Sequence, residues 1–412
     1  MLLEYIYIDN KKIYYLSDIK LRQYEFICID EISMIDGATF DNIINRIKFV
    51  NKYRKTDIKL IIVGDCMQLP PVEKLISGYY FNGGEYDLIH KNSYFCSLSE
   101  VKRQDNIEFI EILKRVRMAM HTKDDIKYIK NMENNKVDEN DLPIYMCAIN
   151  KKVDEINKKY FDENKNESFE FKKSIKYYIH NKGDRKCEIE KLPSNNLKFI
   201  KETIERGGNV TLKISIKIMI TENMDVSNGI CNGTTGYITE IKSENKKYVI
   251  NVLTKDNKYF DISTQILKLD DITIDKQTYS IINEFMPIKQ CNAITIHKSQ
   301  GQTYNEKVIL DCNKIFENSM FYTALSRISD PKNMKIINFK DEYIKCDMTA
   351  FNYEAKGEYI PYFETLLIAK DEDKLGSLKV KSDTNLIEKN TIIYVFECAS
   401  KNNMGMFHIL TI

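Results

Sequence analysis

Three short apolar runs each stop abruptly at a chemically loaded turn, and that recurrence restricts the fold more than any other feature of the chain. Ala293 to Ile296 reads as a buried strand that breaks into His297-Lys298-Ser299-Gln300-Gly301-Gln302-Thr303. Tyr24 to Ile29 hands over to Asp30-Glu31, and Lys59 to Val63 hands over to Gly64-Asp65-Cys66-Met67-Gln68. An open α/β sheet collects its ligand chemistry at the ends of its strands. These turns are expected at such an edge, together with Ala324-Leu325-Ser326-Arg327.

The chain between the turns has βαβ spacing. Phe40, Ile43, Ile44, Ile47 and Val50 share one face of a helix predicted over residues 37–54. Pro70-Pro71 opens a long loop, and Phe109, Ile112, Leu113 and Val116 mark a second amphipathic helix over 105–120. From Thr122 to Asp141 the chain turns polar and charged without periodicity, which reads as an interdomain linker with room for a frayed helix. Residues 143–149 start a new strand, followed by a helix over 151–160. Residues 162–209 are rich in Asn, Lys and Glu and show no clear pattern. From Val210 to Ile282 alternation takes over, with Asn228-Gly229 and Asn232-Gly233 as hairpin-grade turns, so a small β-barrel is expected there. The α/β pattern resumes at residue 293 and continues through strands over 307–311 and 334–339 and a helix over 319–327. The expected organisation is α/β. Residues 1–121 form a first domain, 122–142 a linker, 143–209 with 286–340 a second domain, and 210–285 a barrel inserted in it. Residues 341–412 are an extension without a readable motif.

Composition excludes several classes. Lys plus Arg is 61 and Asp plus Glu is 60, so any basic groove for nucleic acid must be local. No run of 18 apolar residues exists, so no membrane-spanning helix is expected, and the first residues lack the basic start and apolar core of a signal peptide. The 10 cysteines are scattered without a C-x-x-C pair, which argues against a zinc site or a disulfide framework and fits an intracellular, reducing compartment.

Each turn supports a chemical reading beside a plainer one. Two adjacent acids after a buried strand, Asp30 and Glu31, suit a phosphate site, one holding hydrated magnesium and the next orienting water. A solvated strand end would look the same. In Gly64-Asp65-x-x-Gln68-Leu69-Pro70-Pro71 the glycine frees the backbone, Gln68 is placed to reach a γ-phosphate, and the prolines stiffen the loop. An ordinary strand-to-loop turn is the alternative. Arg103 and Arg327 offer guanidinium forks that match phosphate geometry, although either alone would pass for a surface arginine. The polar turn over 297–303 offers several donors to a sugar-phosphate backbone, the sequence-independent contact of single-strand binders.

Taken together, these stretches resemble the motifs of superfamily 1 DNA helicases, in the RecD-like branch that includes the petite-integration-frequency helicases. Ile29-Asp30-Glu31-Ile32-Ser33-Met34 resembles the branch's Walker B, and Gly64 to Val72 its motif III. Glu100-Val101-Lys102-Arg103-Gln104 resembles motif IV, usually E-V-F-R-Q, with Lys102 replacing the aromatic. Asn228 to Gly236 resembles the N-G-x-x-G turn near the family's small barrel, Thr295 to Thr303 motif V, and Tyr322 to Arg327 motif VI. Order and spacing agree over roughly residues 24–340.

The resemblance implies two RecA-like parallel-sheet domains, ATP with Mg2+ bound between them, and movement 5′ to 3′ along single-stranded DNA or into a forked duplex. It implies that Asp30 binds the metal and that Glu31, Gln68, Arg103 and Arg327 are catalytic, the two arginines facing the γ-phosphate. Gly64, Asp65 and Gly301 are implied beside the nucleotide, and Thr295, His297, Lys298, Ser299 and Gln300 near the DNA backbone.

One departure is large. No G-x-x-x-x-G-K-[ST] occurs in the 412 residues, and only 29 precede Asp30. That loop supplies a backbone cradle, a phosphate lysine and a metal-binding hydroxyl. The first domain is therefore expected to be truncated at its N-terminal side, with a separately encoded P-loop segment as the partner that would restore activity. The alternatives are a non-catalytic module that binds single-stranded nucleic acid and an inactive helicase fragment.

Overall fold

The computed structural model describes residues 4–8, 11–15, 21–55, 57–71, 78–90, 93–98, 100–137, 142–179, 185–187, 207–244, 247–254, 257–274, 277–356, 366–369, 377–380 and 406–410. Contacts divide the chain into two units. The carboxylate unit comprises Leu16–Lys130, Phe316–Pro331 and Lys340–Ile412. The barrel unit comprises Met1–Tyr15, Asn131–Ile315 and Lys332–Phe339. By contact, Phe316–Pro331 groups with Asp30 and Asp65, whereas the sequence reading assigns it to the second domain.

In the carboxylate unit a four-stranded sheet runs in the order Phe26–Ile29, Lys59–Gly64, Met406–Leu410, Ser93–Ser97. The first two strands are parallel, with Ile29 opposite Ile62. Their C-terminal ends therefore share one edge, which is where Asp30 and Asp65 emerge. Helix Gly37–Asn51 begins at Asp36, whose carboxylate accepts hydrogen bonds from the Thr39 backbone N–H and hydroxyl, each at 2.9 Å. Its predicted stripe of Phe40, Ile43, Ile44, Ile47 and Val50 is buried. Removing one of these isoleucines to alanine would cost about 2–5 kcal/mol. Helix Ile107–Arg117 starts at Asn106, which caps the Phe109 N–H, and buries Phe109, Ile112, Leu113 and Val116.

The polar stretch read as a linker carries a helix, Lys123–Asn131. Arg115 grips Asp125 through two nitrogens, at 2.8 and 2.6 Å, and these hydrogen bonds hold the Asp125 carboxyl down to about 2. Apolar help comes from Ile126, Ile129 and Met132, a short stripe that the flanking charges hide.

In the barrel unit a parallel sheet runs Ala293–Thr295, Ile144–Cys147, Val308–Asp311, Met334–Ile337. Helix Asn150–Glu163 crosses it, and its Asn157 extends the hydrogen bonding of the outer strand, accepting from Ala293 N at 2.8 Å and donating to Ala293 O at 3.1 Å. The segment predicted as a barrel forms a five-stranded antiparallel sheet in the order Tyr259–Ser263, Lys247–Thr254, Thr235–Glu244, Lys217–Ile220, Ile288–Gln290. Ile218, Ile238, Ile250, Val252 and Ile262 fill its core with Leu212 and Phe171. A separate long hairpin, Gln265–Ile274 and Gln277–Phe285, pairs with Ser174–Ile179, in the stretch where the sequence showed no pattern. The first sheet feeds directly into the parallel one, because only Cys291 and Asn292 separate Gln290 from Ala293. No described helix is long and apolar enough to cross a membrane.

Candidate functional site

Gly64 sets the geometry of the acidic edge. A Cβ there would lie 2.8 Å from the Ile32 backbone nitrogen, so only glycine lets the end of the Lys59–Gly64 strand touch the Asp30-Glu31 turn. The turn itself is tight. Glu31 adopts a left-handed backbone (φ 52°), and its N–H donates to Asp30 Oδ1 at 2.8 Å. Asp30 is exposed, so its free oxygen is open to solvent.

Behind it lies a buried polar cluster drawn from four segments. Asp65, 2% exposed, accepts from Met67 N at 2.9 Å, from Gln68 Nε2 at 3.4 Å and from the Tyr322 hydroxyl at 3.2 Å. Arg117 adds Nε at 3.2 Å and Nη2 at 2.7 Å, and also pairs with Glu354. Burial pushes the Asp65 carboxyl up, but the Arg117 charge and these hydrogen bonds outweigh it and hold Asp65 below the usual carboxylate range. Glu354 goes the other way, raised because burial exceeds its share of Arg117. Asp65 therefore acts as the fixed point of the loop, with its oxygens turned inward.

Gln68 connects this cluster to the arginines. Its Oε1 accepts from Arg327 Nη2, and Arg327 Nε donates to Thr323 O at 3.1 Å. Arg327 is fully buried at the end of helix Met320–Leu325, whose every residue is also buried. Arg103 Nη1 donates to Ser326 O at 2.8 Å, and Gln104 Nε2 reaches Ser326 O at 3.0 Å and Ile328 O at 2.8 Å. Burial first, and then the neighbouring charge of Arg327, lower Arg103 to about 9, so two guanidinium groups stand close enough to repel. Like charges held together in this way favour a bound anion.

The motif in the barrel unit is one helical turn, Ile296–Ser299, where the sequence suggested that the strand runs to Ile296 and a polar turn follows. Thr295 caps it by accepting from Lys298 N at 3.3 Å, and Ser299 donates to Ile296 O at 2.7 Å. Thr295, Ser299 and Gln300 are buried, His297 is half-buried, and Lys298 and Gly301 are exposed, Gly301 with a left-handed backbone (φ 75°). The turn after Asn232 packs here as well. At Gly233 (φ 94°) a Cβ would fall 2.0 Å from Gln302 Nε2.

Sequence reasoning missed several residues of these clusters. Arg117 stands at i+4 and i+8 from Leu113 and Phe109, so a charge on an apolar stripe was the available signal. Gln104 sat beside Arg103 in the quoted motif. Lys289 lies next to Lys298, and burial first and then that neighbouring ammonium push it below the usual lysine range. Lys217 and Glu306 form a buried ion pair between the β insertion and the loop after the motif. For Tyr322 the motif gave the position and nothing about Asp65.

Comparison with known proteins gives the family. Residues 209–241 match the family described as DNA helicase Pif1, 2B domain. The ATP-dependent DNA helicase Pif1 of Campylobacter jejuni is 30% identical over 341 residues, covering 78% of this chain and 71% of that protein. The chain belongs to the Pif1 helicase family. Xenopus laevis PIF1 is 26% identical over 330 residues, and this chain spans 48% of its length, about half. Among solved structures, Pif1 from Candida albicans superposes with a TM-score of 0.64 at 20% identity, covering 82% of this chain and 78% of that one. Bacteroides Pif1 in complex with ADP-AlF3 and ssDNA gives 0.60 at 22%, covering 85% and 79%. The α/β architecture with parallel sheets is that of these Pif1 helicases.

Proposed function

We propose that this Pif1-family chain works as part of an ATP-dependent helicase that moves 5′ to 3′ on single-stranded DNA and opens forked duplexes, and that hydrolysis needs a P-loop, which these 412 residues do not contain. The observation that carries this reading is the convergence of Gln68, Arg103 and Arg327, from three distant segments, beside the Asp30-Glu31 turn. The residues fit one side of a nucleoside triphosphate. Asp30 would hold magnesium, and Arg103 and Arg327 the outer phosphate. For the inner phosphates the sequence holds no glycine-rich cradle and no phosphate lysine.

When bound, magnesium ATP supplies the phosphoanhydride whose hydrolysis drives movement. The chain's own residues do the positioning. Asp65 and Arg117 fix the loop that carries Gln68. Gln68 holds the Arg327 fork, and Arg103 is braced by the Ser326 carbonyl. Removing either arginine would leave developing charge uncompensated, which is worth about 10³-fold or more in rate. The test is DNA-stimulated ATP hydrolysis by the chain combined with a P-loop segment. The Arg327→Ala variant should lose it, and equal rates in both would overturn the proposal.

A second reading has its own observation. Lys289, on the strand Ile288–Gln290, stands against Lys298 of the Ile296–Ser299 turn, and both lie within one unit. Single-strand binding by the barrel unit then needs no nucleotide. Fluorescence anisotropy with oligo-dT should show binding that weakens steeply with salt and ignores ATP.

A further inference from the structure

Where helix Asn150–Glu163 ends beside the β insertion, the barrel unit holds a cavity of about 270 Å³. Tyr160 and Glu163 from the helix, Asn166 just after it, Ile216 and Tyr237 from the insertion and Asn292 from the joint line it. Glu163 and Asn166 are exposed and mark its open side, whereas Ile216 and Asn292 are each 3% exposed. A space of this size lies just below the ~300–1,000 Å³ of drug-sized sites, so it admits one ring system and little more.

Asn292 decides what the cavity asks for. Gln290 Nε2 donates both to Asn157 O at 2.7 Å and to Asn292 Oδ1 at 2.9 Å. That amide nitrogen can only donate, so it fixes the oxygen of Asn292 toward itself and leaves Asn292 Nδ2 for the cavity. Among the described residues Nδ2 makes no hydrogen bond, and a donor on so buried a side chain calls for an acceptor. The Tyr237 hydroxyl likewise makes no hydrogen bond among the described residues. Burial first, and then the Glu306 carboxylate, push it above the usual tyrosine range, so it keeps its proton and can donate. On the open side the acceptors are the Glu163 carboxylate and Asn166 Oδ1, the Asn166 Nδ2 being spent on Ile214 O at 2.9 Å. The negative end of the helix is already covered by Lys213 Nζ, at 2.9 Å from Phe161 O and 2.7 Å from Asn164 O. What is left open suits a flat, neutral guest with acceptors at its inner end and an N–H at its outer one.

We infer that this cavity receives one nucleobase bearing ring carbonyls and a ring N–H, as thymine does, unstacked from a single strand. Asn292 Nδ2 and the Tyr237 hydroxyl donate to the carbonyls, Glu163 or Asn166 accepts from the N–H, and Tyr160 supplies an aromatic wall. Adenine has no carbonyl and meets these donors less well. The site is distinct from the turn proposed to touch the strand backbone. Asn292 precedes the strand Ala293–Thr295 and Thr295 ends it, about 10 Å away at ~3.3 Å per residue. The inference rests on the single-strand reading for the source of the base, and adds a base preference to it.

The test uses the full chain and two kinds of probe: labelled oligo-dT and oligo-dA of equal length in fluorescence anisotropy, and free thymidine in saturation-transfer NMR. The native chain should bind oligo-dT about tenfold more tightly than oligo-dA. Asn292→Asp keeps the oxygen that Gln290 needs and turns the donor into an acceptor, so it should bring the two affinities within about twofold of each other. Tyr237→Phe keeps the ring and removes the hydroxyl. It should cut the preference by about threefold, and it covers the case in which Asn292→Asp does not fold. A residue that only held the fold together would weaken both oligomers alike. Thymidine should receive saturation at its base protons from the native chain and lose it in Asn292→Asp. Equal binding of the two oligomers, or a preference that neither variant alters, would overturn the site. Binding of neither oligomer with no transfer to thymidine would overturn it too, as a cavity that holds solvent only. Transfer to thymidine without binding of either oligomer would leave the site standing and remove the single-strand reading instead.

Discussion

Replacing Arg117 by methionine keeps the length of the side chain and removes the charge that two buried carboxyls share. Asp65 is 2% exposed and the Glu354 side chain 10%, so neither can turn to water without moving the loop. Taking one partner from a buried ion pair costs about 3–5 kcal/mol, and here two acids are stranded. The sign of each shift sets the pH dependence. In the native chain Asp65 lies below its unfolded value of 3.8, so it stabilises above that pH and loses the effect as pH falls through its folded value. Without Arg117, burial raises both Asp65 and Glu354, whose ordinary values are 3.8 and 4.5. The folded variant then holds protons that the unfolded chain releases, and its stability falls as pH rises. The deficit should be largest at neutral pH and shrink by at least half near pH ~5. The chain has no tryptophan, so amide exchange of Lys59–Gly64 is the assay, reporting the carboxylate unit alone. Adding Glu354→Gln should recover part of the loss. A deficit under about 1 kcal/mol, or one that does not change with pH, would refute the view of Asp65 as the charged fixed point of the loop.

Three further outcomes are expected. Gly64→Ala places a methyl group against the Ile32 backbone, so it should cost about 1–3 kcal/mol by amide exchange of the same strand, whereas Gly84→Ala, whose Cβ would meet nothing closer than 3.6 Å, should cost little. Lys217→Met should lower the melting temperature of the chain by stranding Glu306, and Lys217→Met with Glu306→Leu should regain most of it. Lys298→Ala should weaken oligo-dT binding and reduce its salt slope by about one; because Lys289 is lowered by burial, binding of the native chain should take up a proton and weaken as pH rises through that lowered value.

The placing of Asp30, Gly64 and Gln68 at or just after strand ends, and of Arg327 after a helix, was legible because each sits in a linear pattern that ends its element. The stripes of helices Gly37–Asn51 and Ile107–Arg117 were legible for the same reason, since their period is set by the helix. Arg117, Glu354, Lys217 and Lys289 were not, because each gains its meaning from a partner that the linear pattern does not reveal. Helix Lys123–Asn131 was legible only as a frayed helix within a linker, because its charges mask its apolar side and one of them, Asp125, is buried and satisfied by Arg115. The placing of Met-Phe-His-Ile-Leu at 406–410 was invisible, since any apolar five-residue strand reads alike and only the sheet decides where it goes.

The joint at Cys291-Asn292 has a mechanical meaning. Two residues, both buried, connect the β insertion to the strand that carries the Thr295–Gln300 turn. Gln290 is pinned to Asn157 O at 2.7 Å on one side of the joint, and Ala293 to the same asparagine on the other. Such a joint has no slack. A load applied to the insertion passes along the strand to the turn without being absorbed, as through a welded bracket and not a swivel. The insertion is therefore no detachable tool head. Swapping it between relatives by cutting at the joint would unseat Asn157 and tilt the turn, and a working graft would have to carry helix Asn150–Glu163 with it.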